Sequence, residues 1–334
     1  MATDLLIDRR GTLIFVTLNR PEALNALNFP IIRGLSAVLD QAEQDPSVVG
    51  IVLRGAGDRA FCAGGDIKAA REGGLAWKRG EASLDETLAF FDDEYALNRR
   101  LFHFPKLLIA LMDGITMGGG VGVAGPCRIK IATEKTRWAM PEVTIGFFPD
   151  VGAGYYLTRA PGQIGRYLGL TGQHLDTAFD LLSCGFATHC VPHDDIERMI
   201  ISFNAAHSAE EIEEIIATFH QAPSGMSTLD RNLIDTHFSH ETVPEIYASL
   251  DGGREEAQKI AALMRTKSPT SLTVTLRHLQ LSRTESFDEV SNRDFKLADV
   301  FLRGHDLYEG IRAAVVDKDR NPKWAPEEGL GAYF

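Results

Sequence analysis

The sequence predicts an α/β fold whose C-terminal third is mostly helical. Strand-like and helix-like runs alternate through the first half, and beyond about residue 155 the strand-like runs thin out while helical patterns continue. The composition agrees: 334 residues, 44% hydrophobic and 24% charged, are enough for one large core with a smaller unit appended.

Taken in order, GTLIFVTLNR (residues 11–20) reads as a strand and NFPIIRGLSAVLDQAEQD (28–45) as a helix. VVGIVLRG (48–55), LLIALMDG (107–114) and CRIKIAT (127–133) are further β-rich runs. Between them, Leu84, Leu88, Phe91 and Tyr95 fall at i, i+4, i+7 and i+11, one face of an amphipathic helix over 84–101, with Glu94 beside that stripe. Later, AEEIEEIIATFHQ (209–221), GGREEAQKIAALMRTK (252–267) and SNRDFKLADVFLRGHDLYEGIRAAVVDKD (291–319) read as helices, several with acidic, solvated faces. These patterns divide the chain into a core over 1–190 and a mainly helical region over 191–334, in which 192–255 shows no chemistry.

A net charge of −12 and a pI near 5.3 argue against a broad nucleic-acid or anionic-membrane surface, since both require clustered Lys and Arg. The cysteines at 62, 127, 184 and 190 form no CxxC pair and the histidines show no metal-ligand spacing, so neither a metal site nor a disulfide framework is expected. Reduced thiols, no recognisable targeting segment and no transmembrane-length apolar run make a cytoplasmic location the expectation.

Two glycine-rich turns follow strand-like runs: RAFCAGGDIKAA (59–70) and MDGITMGGGVGVAG (112–125). Neither matches a phosphate-binding loop or a dinucleotide fingerprint. Glycine does let a backbone N–H approach a ligand closely, and two such donors from separate turns make an oxyanion hole for an attacked or enolised thioester. The plain alternative is a tight strand-to-helix turn. A third stretch, WAMPEVTIGFFPDVGAG (138–154), sets Glu142 and Asp150 among apolar residues, glycines and prolines. A carboxylate there is costly unless paired, solvated or useful; a helix start at Glu142 and an N-cap at Asp150 are the structural readings.

The order NRPEALNALN (19–28), FCAGGDIKAA (61–70), MDGITMGGGVGVA (112–124) and MPEVTIGFFPDVGAGYYLTR (140–159) resembles the enoyl-CoA hydratase/isomerase, or crotonase, superfamily. SPTSLTVTLRHL (268–279) and RGHDLYEGIRAAVVDKDRNPKW (303–324) resemble its 3-hydroxyisobutyryl-CoA hydrolase branch. The resemblance implies a spiral of β-β-α repeats with a helical C-terminal region, an acyl-CoA substrate, and trimers or hexamers. Coenzyme A would enter as part of the substrate, with no separate cofactor. By motif position the oxyanion donors are the backbone N–H groups of Gly65 and Gly119.

Hydratases of the superfamily carry two glutamates, and the first of those positions is Gly122 here. The hydrolase branch resembles this chain at Asp150 and at Glu94 in DDEYALN. The activity that the resemblance implies is hydrolysis of a 3-hydroxyacyl-CoA, with 3-hydroxyisobutyryl-CoA from valine breakdown as the implied substrate. Glu142 would be nucleophile or general base, Asp150 would hold the 3-hydroxyl or the water, and Glu94 would orient the substrate. The alternatives are an enoyl-CoA hydratase or isomerase, and a non-catalytic acyl-CoA-binding module. For the coenzyme A phosphates the first candidate is Lys68; Arg20, Lys318, Arg320 and Lys323, with Trp324 near the adenine, are others, and Cys62 is read as a small core residue.

Overall fold

The computed structural model describes residues 3–223, 225–327 and 329–334. The chain opens with β1 (Leu5–Arg10), β2 (Leu13–Leu18), α1 (Phe29–Gln44), β3 (Gly50–Gly55), β4 (Ala60–Cys62), α2 (Ile67–Lys78) and α3 (Asp85–Phe102). Next come β5 (Leu107–Met112), β6 (Ile115–Met117), α4 (Gly119–Ala124), β7 (Ile129–Ala132), β8 (Arg137–Ala139), α5 (Ala153–Leu157), α6 (Ile164–Thr171), α7 (Ala178–Ser183) and β9 (His189–Cys190). Helices then dominate: α8 (Ile196–Ser202), α9 (Ala209–Phe219), α10 (Arg231–His237), α11 (Val243–Asp251), α12 (Glu255–Met264), α13 (Pro269–Ser282), α14 (Phe287–Arg303) and α15 (Asp306–Ile311).

The strands form two sheets, β1-β2-β3-β5-β7-β9 and β4-β6-β8. From β3 to β8 successive strands alternate between them, so the chain winds as a spiral. Apart from the antiparallel β1–β2 hairpin, the large sheet is parallel throughout. Its central strand β5, LLIALM, is buried along its whole length, which is why it reads as a continuous apolar run rather than an alternating one. β1 was not expected from the sequence: it is an edge strand, exposed at five of its six residues, and carries no buried alternation.

The chain forms two compact units, each assembled from three segments. The first (Met1–Gly65, Ala96–Trp138, Leu175–Thr228) holds the large sheet, whose core packs Phe15, Val52, Ile109 and Ile131 against Met199, Phe203, Ile212 and Ile216. The second (Asp66–Tyr95, Ala139–His174, Leu229–Phe334) has a helical core in which Val143 and Leu170 meet Phe238, Ile246, Met264, Leu272 and Leu276.

Candidate active site

In the first unit the two glycine turns come together. Asn25, fully buried with φ +58, donates from Nδ2 to Ala56 O at 2.9 Å and Ala60 O at 2.8 Å, while its Oδ1 accepts from Arg20 N–H. Leu27 N–H donates to Gly64 O at 2.8 Å. NRPEALNALN is therefore a brace that shapes the turn after β4. Gly64 lies at φ +121 and Gly118 at φ +50, in the region open to glycine at no cost. A Cβ on Gly64 would sit 3.7 Å from Gly119 N, and one on Gly120 would sit 2.1 Å from Cys62 O. The bare glycines let backbone meet backbone, with Gly65 ending one turn and Gly119 opening α4. Cys62 is fully buried beneath them.

In the second unit, α3 contributes Glu94 and Tyr95, the short 3-10 turn Glu142–Ile145 contributes Glu142, and the turn before α5 contributes Asp150. Exposure is 2%, 7% and 6% for Glu94, Glu142 and Asp150, so none is a solvated acid. Of the two structural readings, the helix start at Glu142 holds and the N-cap at Asp150 fails. Glu142 does begin a helical turn, yet it is buried; Asp150 caps nothing, because Gly152 holds the N-cap position of α5 and the Asp150 carboxylate instead accepts from Tyr95 Oη at 2.6 Å.

Burial is the main cause of the titration behaviour. It lifts Glu142 and Glu94 well above the usual carboxylate range, with the charge of Asp150 adding to both. It lifts Asp150 to about 7, against the pull of the Tyr95 hydrogen bond. Glu94 Oε1 and Glu142 Oε2 have no hydrogen-bond partner among the described residues. Three interacting carboxyls with unspent oxygens are a poor way to stabilise a core and a suitable way to bind and move protons.

The sequence matches the family described as enoyl-CoA hydratase/isomerase over residues 13–330. The chain belongs to the enoyl-CoA hydratase/isomerase family. Relatives in that family include the mitochondrial 3-hydroxyisobutyryl-CoA hydrolases of Rattus norvegicus, 38% identical over 99% of this chain and 88% of the relative, and of Homo sapiens, 38% identical over 100% and 89%. Among solved structures, a carnitinyl-CoA dehydratase from Mycobacterium thermoresistibile superposes with a TM-score of 0.91 at 36% identity, covering 100% of this chain and 96% of that one. An enoyl-CoA hydratase from Rhodobacter sphaeroides gives 0.84 at 35%, covering 97% and 93%. The fold is the crotonase fold expected from the motifs.

Within the family's frame, other expected residues fall in plain positions. Lys68 is exposed on the first turn of α2 and makes no hydrogen bond among the described residues. Arg20 donates to Ala26 O at 2.9 Å, Trp324 Nε1 to Thr266 O at 3.0 Å, and Lys323 Nζ to Asn321 Oδ1 at 3.1 Å. Lys318 and Arg320 are exposed, at φ +58 and +54. Sequence reasoning missed Tyr95, which it counted as apolar, and Asp294 and His278, which are fully buried on α14 and α13. The signal for Asp294 was present: it falls in register with the apolar stripe Phe287, Val290, Leu297 and Phe301.

Proposed function

We propose that the chain hydrolyses a 3-hydroxyacyl-CoA thioester, with 3-hydroxyisobutyryl-CoA, a valine-breakdown intermediate, as substrate. The observation that carries this reading is the buried Glu94–Glu142–Asp150 cluster with unpaired oxygens, present where Gly122 supplies no second hydratase glutamate. The hydrolase relatives at 38% identity support it.

In the proposed reaction the thioester carbonyl oxygen takes the negative charge of the tetrahedral intermediate, and the Gly65 and Gly119 N–H groups donate to it. Glu142, in the ionised form that burial disfavours and that must first give up its proton, attacks the carbonyl carbon. The C–O bond forms, the C–S bond breaks, and the coenzyme A thiolate leaves and is protonated. Water then adds to the resulting mixed anhydride and returns the 3-hydroxy acid and free Glu142. In the alternative route Glu142 takes a proton from water, which attacks the carbonyl itself. Asp150, titrating near neutrality, holds the 3-hydroxyl or the water and carries a proton between steps. Glu94 orients the substrate, and Lys68 is the proposed phosphate contact. Beyond the coenzyme A moiety of the substrate, this chemistry calls for no further group.

The rival reading is hydration of an enoyl-CoA, the activity in the name of the Rhodobacter sphaeroides neighbour. A paired assay separates them: thiol release from 3-hydroxyisobutyryl-CoA against loss of enoyl absorbance from crotonyl-CoA. Thiol release is expected to dominate, and Glu142→Gln should lower its kcat by about 10²–10⁴-fold. Rapid crotonyl-CoA hydration without thiol release would sink the proposal, and full thiol release by the Gln variant would remove Glu142 from its role. Coenzyme A binding with neither turnover would mark a binding module.

A further inference from the structure

Behind Asp150 lies a second polar group that the proposed reaction does not use. Asp294 is fully buried on α14, and its Oδ2 accepts from Gly152 N–H at 2.8 Å. That peptide is two residues beyond Asp150, in a turn where Val151 and Gly152 stand at φ +53 and +75. A β-branched residue in the left-handed region costs on the order of 1–3 kcal/mol and persists only where its surroundings over-determine it. Within the backbone the turn is also tied by Ala153 N–H to Asp150 O at 2.8 Å and by Tyr155 N–H to Gly152 O at 3.0 Å.

Asp294 is itself held by a chain of groups. Arg293 Nε donates to His278 Nδ1 at 3.1 Å, and since a guanidinium only donates, Nδ1 must be the acceptor. Burial, reinforced by the Arg293 charge, keeps the ring neutral, so its proton sits on Nε2. Nε2 lies 3.3 Å from Asp294 Oδ1, a close polar contact short of an aligned hydrogen bond. Arg293 is fixed in turn by donating to Ser282 Oγ at 2.8 Å and to Glu285. Capping by Ser268 and by the Ser286–Glu289 box sets the starts of the two helices that carry these groups.

We infer that Asp294, braced by His278 and Arg293, is a positioning residue: it clamps the Gly152 peptide and so fixes where Asp150 presents its carboxyl. The inference rests on Asp150 acting in the proposed hydrolysis. Asp294 touches the turn and not the substrate, so its loss should lower kcat and spare KM.

The test compares Asp294→Ala, which removes the acceptor, with Asp294→Asn, which keeps a carbonyl oxygen for Gly152 in nearly the same volume. For thiol release from 3-hydroxyisobutyryl-CoA, the Ala variant should lose about 10–100-fold in kcat, the range for groups that orient an active residue, with KM changed less than about twofold. Asn should recover part of that loss, since its carbonyl takes the Gly152 N–H while its amide NH2 faces the His278 Nε2–H. In parallel, the Gly152 amide should exchange with solvent at least about tenfold faster in the Ala variant than in the wild type. If Ala does not fold, Asn carries the test, with a partial loss of kcat at unchanged KM and a partial loss of Gly152 protection expected. Wild-type kcat in Asp294→Ala, an effect on KM alone, unchanged Gly152 exchange, or Asn as impaired as Ala overturns the inference. Absence of thiol release by the wild type overturns the functional reading instead, and the Gly152 exchange then decides the clamp by itself.

Discussion

Asp150 and Tyr95 show how one contact sets a residue's working range. The Tyr95 hydroxyl donates to the Asp150 carboxylate and so favours the ionised form, partly offsetting the effect of burial. In Tyr95→Phe that donor is gone, and the Asp150 carboxyl should titrate above about 7. If turnover needs Asp150 ionised, the acid limb of kcat/KM for thiol release moves to higher pH; a limb at the wild-type position would show that Asp150 does not control it. Glu142 and Asp150 were legible in the sequence because acids set among glycine, proline and phenylalanine have no solvated helix face to belong to. Tyr95 was not, since an apolar stripe counts its ring and ignores its hydroxyl. His278 and Arg293 were hidden for another reason: whether they meet depends on how α13 and α14 pack, which no local pattern states.

At the scale of elements, polar groups stand in the register of buried stripes on helices. α14 buries Phe287, Val290, Leu297 and Phe301 with Asp294 among them, and α13 buries Leu272, Leu276 and Leu279 with His278. An expectation of solvated acidic faces held for much of the C-terminal region and failed at Asp294, the acid that occupies an apolar position. The strands were legible where they were buried, as in β3 and β5, and β1 was missed at its exposed edge. The turn joining Asp150 to α5 makes a sharper demand. A Cβ on Gly152 would lie 2.3 Å from the Phe287 ring, at a φ of +75 that alanine resists. Gly152→Ala should therefore cost about 2 kcal/mol or more, read as a lower urea midpoint with an unchanged slope. Wild-type stability would mean that the ring moves aside and the turn tolerates a side chain.

For the whole molecule, the buried acids make stability depend on pH. The folded state holds the Asp150 proton more tightly than the unfolded chain does, with a titration near 7 against 3.8. Its contribution is therefore most favourable below 3.8 and declines as the pH rises through about 7, by a total on the order of 4 kcal/mol. Asp150→Asn removes the penalty, so the variant should melt well above wild type at pH 8, by less than half that margin at pH 5, and nearly match it only near pH 4, while turning over less. Equal melting differences at pH 8 and pH 5 would show that the wild-type carboxyl does not titrate in this window. Such an exchange of stability for activity is expected where function requires a charge in a dry place.

The alternation of strands between two sheets also bears on how this chain can change. The turn after β4 and the turn after β6 are neighbours because their strands pair in the small sheet, although residues 66–117 separate them along the chain. Within that interval α2 and most of α3 belong to the second unit. The stretch from α2 to the start of α3 can grow or shrink without altering the spacing of the two glycine turns, which the β4–β6 pairing maintains. The two oxyanion donors proposed here thus keep their spacing through a pairing that does not depend on the length of the chain between them.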